Sequence, residues 1–101
     1  MVRANVLNLI SKIYTPDLIG QMVPLETTRQ VYCDISSVSA DEMFNAGQAG
    51  FKPEFRATMF EGDYNGEDEA ELDGVVYSIY RTYLTRGNNI ELYFERKAGV
   101  D

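Results

Sequence analysis

The chain has 101 residues, of which 45% are hydrophobic and 25% charged, the composition of one soluble globular domain over residues 1–101. It has no histidine and a single cysteine, Cys33, which excludes an intramolecular disulfide and the Ser-His and Cys-His pairs of nucleophilic enzymes. The net charge of −7 argues against a high-affinity nucleic-acid binder, and the apolar runs are too short to span a membrane.

The first third of the chain predicts two strands joined by a long connection. Apolar residues at 5–14 supply the first strand, which ends at Pro16 because proline cannot donate to a ladder. The connection is expected to run to about Val23. The second strand, at about 25–36, alternates apolar and polar residues. Cys33 lies on its apolar side, so we expect a buried side chain rather than a reactive thiol.

One short helix is predicted at about residues 40–47, between the second and third strands. Ser39 and Glu42 have the spacing of a capping box, in which Ser39 caps free amides and Glu42 reaches back to the backbone. Gly47 is expected to end the helix. A helix of two turns needs packing to persist, so this segment is expected to change conformation more easily than the strands.

Four further strands are predicted, at about 53–60, 69–72, 75–84 and 90–96. Asp73-Gly74 is a strong hairpin signal, and residues 85–89 supply a second turn. Ile90, Leu92 and Phe94 share one face of the last strand and are expected in the core, whereas Tyr93 shares the opposite face and is expected to be exposed or bound to a partner. Residues 97–101 are expected to form a loose tail.

These elements predict an all-β fold: a small antiparallel β-barrel of about six strands with one short helix. A closed barrel is favoured over a sandwich because six strands in so short a chain would otherwise leave unpaired edges.

The negative charge is concentrated in one segment, residues 61–73, which contains seven acids and no Lys or Arg. Asp63, Asn65 and Glu67 alternate as in a calcium loop, but the glycine and glutamate that such a loop requires are replaced by Asp68 and Gly74. We therefore expect no metal site. A solvated loop and a charged surface facing a partner or a channel both remain open.

Four tyrosines in the last two strands, Tyr77, Tyr80, Tyr83 and Tyr93, could stack on single-stranded nucleic acid. Tyrosine is also common in cores and at interfaces, and the acidic balance of the chain favours those roles. No residue pattern predicts a catalytic group or a cofactor site.

Seven segments, taken in order, resemble the head closure (head–tail joining, connector or stopper) proteins of tailed bacteriophages, in the form found in phages and prophages of Gram-positive bacteria. They are NLIS at 8–11, YTPD followed by Gly20 and Gln21 at 14–21, VYCDISSVS at 31–39, EMFNAGQ at 42–48, KPEF at 52–55, YSIYRTY at 77–83 and IELY at 90–93. The resemblance covers nearly the whole chain.

The resemblance implies a structural virion protein without a catalytic role or cofactor. Such proteins assemble as a homo-oligomeric ring below the portal and its adaptor, close the DNA exit channel after packaging, and offer a surface to the tail proteins. The chain would then lie at the head–tail interface of the virion, after assembly in the host cytoplasm. It would lie near packaged DNA without binding it specifically and would contact no membrane. Whether the isolated chain is a monomer stays open.

The resemblance also implies loops that plug the channel, and two segments, 37–52 and 61–68, are the candidates. The candidate lumen, plug or partner-contact residues in them are Asp41, Glu42, Phe44, Asn45, Gln48, Glu61, Asp63, Asn65, Glu67 and Asp68. Tyr93 is the candidate subunit contact. The alternatives are a small oligonucleotide-binding-type barrel that uses the tyrosines and, less favoured, an enzyme that uses only carboxylates, Tyr, Lys or Arg.

Overall fold

The computed structural model describes residues 3–97 and consists of six antiparallel strands that close into a barrel in the order β1-β2-β3-β6-β5-β4. The strands and helices follow one another as β1 (Arg3–Pro16), β2 (Met22–Ser36), α1 (Ala40–Gln48), β3 (Pro53–Phe60), a 3-10 turn (Glu61–Asp63), β4 (Glu69–Leu72), β5 (Val75–Leu84) and β6 (Asn89–Arg96). The predicted all-β barrel with one short helix is confirmed. The predicted tail falls largely on residues 98–101, outside the described residues.

The barrel core comes from one face of each strand, as period-two alternation requires. The predicted core side chains Ile90, Leu92 and Phe94 are buried, and Cys33 is buried as predicted. Phe94 stacks on Phe55 with ring centroids 4.6 Å apart. The buried cluster fills the barrel with apolar side chains: Leu7, Leu9, Val31, Cys33, Phe55, Ala57, Met59, Ala70, Ile90, Leu92 and Phe94.

Two tight turns connect the strands where the sequence predicted them. Asp73 and Gly74 both have positive φ, of 53° and 83°, which is the conformation that a two-residue hairpin needs. Gly87 and Asn88, with φ of 82° and 66°, form the turn between β5 and β6. No helix among residues 3–97 is long and apolar enough to cross a membrane.

The helix boundaries and the connection between β1 and β2 differ from the predictions. α1 continues through Gly47 to Gln48, and the positive φ of 94° falls on Gly50 instead. The connection between β1 and β2 is only Asp17 to Gln21. Pro16 is tolerated at the end of β1 because the strand has no other neighbour there, so a missing donor costs nothing.

Candidate interaction surfaces

β1 and β2 continue beyond the barrel as a two-stranded arm, residues 11–28. Within the described chain, β1 pairs with β4 only at residues 8–10, and β2 pairs with β3 only at residues 34–36. The intervening residues pair with each other in one uninterrupted register, from Ser11↔Thr27 to Pro16↔Met22. The arm contributes to a molecule 50 Å long and only 23 Å across its thinnest direction.

The arm exposes large apolar side chains along its length. Seven of them are more than 40% exposed: Ile13, Tyr14, Leu18, Ile19, Met22, Val23 and Leu25. At its tip, the carboxylate of Asp17 accepts hydrogen bonds of 2.9 Å from the amides of both Ile19 and Gln21, which fixes the turn. Ile13, Val23 and Leu25 share one face of the arm, and an exposed apolar face of this kind indicates an interaction site.

α1 lies on the outer face of the barrel and is attached to it by polar contacts. The Oγ atom of Ser39 accepts from the amide of Glu42 at 3.1 Å, which confirms half of the predicted capping box. The Glu42 carboxylate does not reach back to the backbone as predicted. It accepts a 2.7 Å hydrogen bond from Tyr80 Oη and forms an ion pair with Arg81.

A β-bulge explains how Tyr80 and Arg81 both reach the outer face. The pairing of β5 with β6 shifts between Ile79 and Arg81, so that Ile79 opposes Phe94, Arg81 opposes Tyr93, and Tyr80 is the extra residue. A bulge of this type re-aims side chains. Alternation alone would have placed Arg81 inside with Ile79.

These contacts determine the protonation of Glu42. Burial alone would raise the pKa of its carboxyl, but the hydrogen bonds from Arg81 and Tyr80 outweigh burial and hold the pKa below its usual range. Glu42 is therefore a half-buried, ionised anchor of the helix.

The other α1 candidates lie on the exposed side of the helix. Asp41, Phe44, Asn45 and Gln48 are exposed, and Phe44 is 66% exposed. Met43 and Phe44 border a shallow groove with Gly47 and Gln48. The structure thus brings four of the five α1 candidates to one accessible surface and removes Glu42 from it.

The acidic segment is only partly a solvated loop. Glu61 and Asp68 are exposed, Asn65 is exposed and Asp63 is half-buried, but Glu67 is buried at 7% exposure. Glu67 accepts 2.8 Å and 2.9 Å hydrogen bonds from the Arg29 guanidinium and the Asn65 amide. Glu67 is therefore not a solvated carboxylate of the loop, because it is buried and paired with Arg29 of β2 between the arm and the barrel.

The electrostatics of Glu67 resemble those of Glu42. Burial would raise its pKa, but the hydrogen bonds from Arg29 and from the Asn65 amide lower it below its usual range. Glu69 is likewise paired, with Lys12 at 3.3 Å and with Lys97. Among residues 3–97 no group of three acidic or cysteine side chains is placed to hold a metal ion.

Tyr93 points away from the core as alternation predicted, but its predicted exposure is wrong. It is only 6% exposed. The Arg81 guanidinium covers its ring at 4.2 Å from the centroid, and its hydroxyl donates to Glu91 at 2.7 Å. The predicted subunit contact is therefore buried within its own chain.

The four tyrosines do not form a common exposed face. Tyr77 packs edge-on against Phe55 in the core, and Tyr80 stacks on Phe51 with ring centroids 4.8 Å apart. Tyr93 is buried, which leaves Tyr83, at 56% exposure, as the accessible ring of the four. A stacking platform built from this set is not present.

Sequence reasoning missed the arm. Leu18 and Ile19 were correctly assigned to a connection, but Met22 was assigned to it as well although it begins β2. These three apolar residues stand close together on both sides of Gly20. That spacing was the signal available: a short turn within an apolar run favours a continuous hairpin over a long loop.

Comparison of the chain with protein-family models, with curated proteins and with solved structures found no match.

Proposed function

We propose that this chain is a structural subunit of a phage neck, which assembles as a ring below the portal and its adaptor, closes the DNA exit channel and offers a surface to the tail. The observation that carries the proposal is a filled barrel with exposed apolar surfaces on two projections, the arm and α1. A ring subunit needs two different surfaces of this kind, because each copy must contact one neighbour on either side.

The distribution of charge supports the same role. Glu61, Asp68 and Asp73 are exposed acids in a chain of net charge −7. A channel wall that carries such a surface repels DNA phosphates, so the duplex can move past it without being held. Two basic side chains near this segment could bind DNA phosphates, but both are paired within the chain. Arg29 is bound to Glu67, and Lys12 is bound to Glu69.

The alternative, a small barrel that binds oligonucleotides, has less support. Its stacking face would have to include Tyr77, Tyr80 and Tyr93, and these rings pack within the chain. A filter-binding titration with single-stranded DNA at low salt tests this alternative, since salt-sensitive micromolar binding would favour it.

Deletion of the gene in the phage or induced prophage that encodes it tests the neck proposal. We expect heads that package DNA but lose it and fail to join tails. Complementation with the wild-type chain should restore intact particles, and Phe44→Ser, which alters the exposed side of α1, should restore fewer of them. Normal infectious particles after deletion would overturn the proposal.

A further inference from the structure

One face of the arm is uncharged. The cross-strand pairs Ser11↔Thr27, Ile13↔Leu25 and Thr15↔Val23 lie on the face that, closer to the barrel, carries the core residues Leu7 and Leu9. Ile13 and Leu25 are 52% and 54% exposed. An apolar sheet face of this kind is normally covered, because a two-stranded ribbon alone is marginally stable in water.

The tip of the arm is the most exposed apolar point of the described chain. Leu18 is fully exposed and Ile19 is 78% exposed. The Asp17 carboxylate holds the turn through two amide hydrogen bonds, so these side chains are presented in a fixed arrangement. A preorganised tip loses little conformational freedom on docking.

The charges on and near the arm indicate which class of partner can cover it. Its single base, Lys12, is bound to Glu69, and Arg29 at its foot is bound to Glu67. An anionic lipid surface or a nucleic acid would therefore find no available cation on the arm and would face a chain of net charge −7. The arm fits an apolar protein surface.

α1 carries such a surface. Met43 and Phe44, 46% and 66% exposed, border the groove with Gly47. A Cβ added at Gly47 would meet open space, so a partner can approach the helix backbone closely there. Methionine adapts its shape to an inserted side chain. Of the two carboxylates in the first turn of the helix, Glu42 is neutralised by Arg81, and Asp41 is exposed.

The arm and α1 of one chain cannot meet. β2 begins at the tip of the arm and ends at Ser36, just before α1, so the two surfaces lie at opposite ends of one strand. Fifteen residues of strand span about 50 Å. Contact between the two surfaces therefore requires a second copy. A contact between two different surfaces repeats from copy to copy, and it closes as a ring where the rotation between copies allows closure.

We propose that the arm tip of one copy docks in the α1 groove of the next copy, with Leu18 and Ile19 inserted beside Met43 and Phe44. The arm, residues 11–28, is somewhat smaller than one side of a standard interface, which uses about 20–30 residues. The inference supplies the subunit contact of the proposed function, but docking between copies can be measured on the isolated chain.

Cysteine trapping tests the contact directly. In a Cys33→Ala background, chains carrying Leu18→Cys are mixed with chains carrying Phe44→Cys, and the rate of disulfide formation between them is measured. The matched control replaces Phe44→Cys with Tyr83→Cys, which is also exposed. We expect trapping to be at least about tenfold faster for the first mixture, since a disulfide requires the two Cβ atoms to come within about 4.5 Å. Equal rates, or faster trapping between two Leu18→Cys chains, would overturn the inference.

Sedimentation velocity over a range of concentrations supplies the second measurement. We expect the wild-type chain to self-associate, and Leu18→Ser with Ile19→Ser to weaken association at least about tenfold, because apolar area is lost from the contact. Tyr83→Ser should leave association unchanged, and circular dichroism should show all three chains folded. A wild-type chain that stays monomeric up to about 1 mM would overturn the inference. So would arm-dependent co-sedimentation with phosphatidylcholine vesicles.

The docking between copies and the neck role can fail independently of each other. Docking without neck assembly in virions would refute only the neck role, whereas a chain found in virion necks without the Leu18–Phe44 contact would refute only the docking.

Discussion

The phenol of Tyr80 donates a 2.7 Å hydrogen bond to Oε2 of Glu42, which joins the bulge of β5 to the first turn of α1. Arg81, next in the bulge, pairs with the same carboxylate and also covers Tyr93. This acidic side chain thus links the helix to the barrel, in addition to the buried Ala46 of α1. The opposite side of α1, which includes Phe44, stays exposed.

Substitution of Glu42 should therefore loosen α1. We expect Glu42→Gln to lower the free energy of unfolding by about 1–2 kcal/mol, because hydrogen bonds to a charged group are lost or weakened. Asp41→Asn, one residue away and exposed, is the matched control and should change stability by less than about 0.5 kcal/mol. Urea unfolding measures both, and equal effects of the two substitutions would show that the Glu42 contacts do not anchor the helix.

The buried pair of Glu67 and Arg29 predicts a dependence of stability on pH. The folded pKa of Glu67 lies below its unfolded value of about 4.3, as does that of Glu42, so both stabilise the fold above that pH. This contribution is lost as pH falls through the folded pKa values. We expect Glu67→Gln to cost about 1–3 kcal/mol at pH 7 and less at pH 3.

The control for Glu67 is Asp68→Asn, since Asp68 is exposed on the same loop. Its effect should be small at both pH values. A penalty for Glu67→Gln that is the same at pH 3 and pH 7 would contradict the ion pair.

Burial raises the pKa of the Cys33 thiol to about 11, and the neighbouring Asp34 carboxylate adds to the effect. At pH 8 the thiolate should then be on the order of a hundredfold scarcer than in an unfolded chain. We expect the folded protein to react with Ellman's reagent at least that much more slowly than the protein in urea. Rapid labelling of the folded chain would mean that the barrel opens around Cys33.

Tyr93 is buried and Tyr83 is exposed, so their substitution should have different effects on stability. Tyr93→Ala should lower the free energy of unfolding by about 3 kcal/mol, because it removes a buried ring that packs under Arg81. Tyr83→Ala should cost less than about 1 kcal/mol. Thermal unfolding measures the stability of both variants. A Tyr93→Ala chain as stable as the wild type would show that Tyr93 is not buried.

The sequence predicted those features that depend on neighbouring residues. The Asp73-Gly74 turn, the core face of Ile90, Leu92 and Phe94, and the cap at Ser39 are all local, and all are observed. They follow from backbone conformation and from alternation along single strands.

The features that sequence reasoning missed depend on residues far apart in the chain. Alternation places Tyr93 on the outer face but cannot show that Arg81, shifted by a bulge, covers it. The burial of Glu67 depends on Arg29, 38 positions earlier. The arm was missed for a different reason: the connection was expected to run to about Val23, whereas it is a five-residue turn, Asp17 to Gln21, and β2 already begins at Met22.

Electron cryo-microscopy of assembled particles, from the phage or induced prophage that encodes this chain, tests the neck proposal most directly. The proposal predicts a ring of six-stranded barrels below the portal adaptor, and the docking inference predicts in addition that the arm of each copy lies against α1 of its neighbour. Well-resolved neck density that contains no copy of this chain would contradict it.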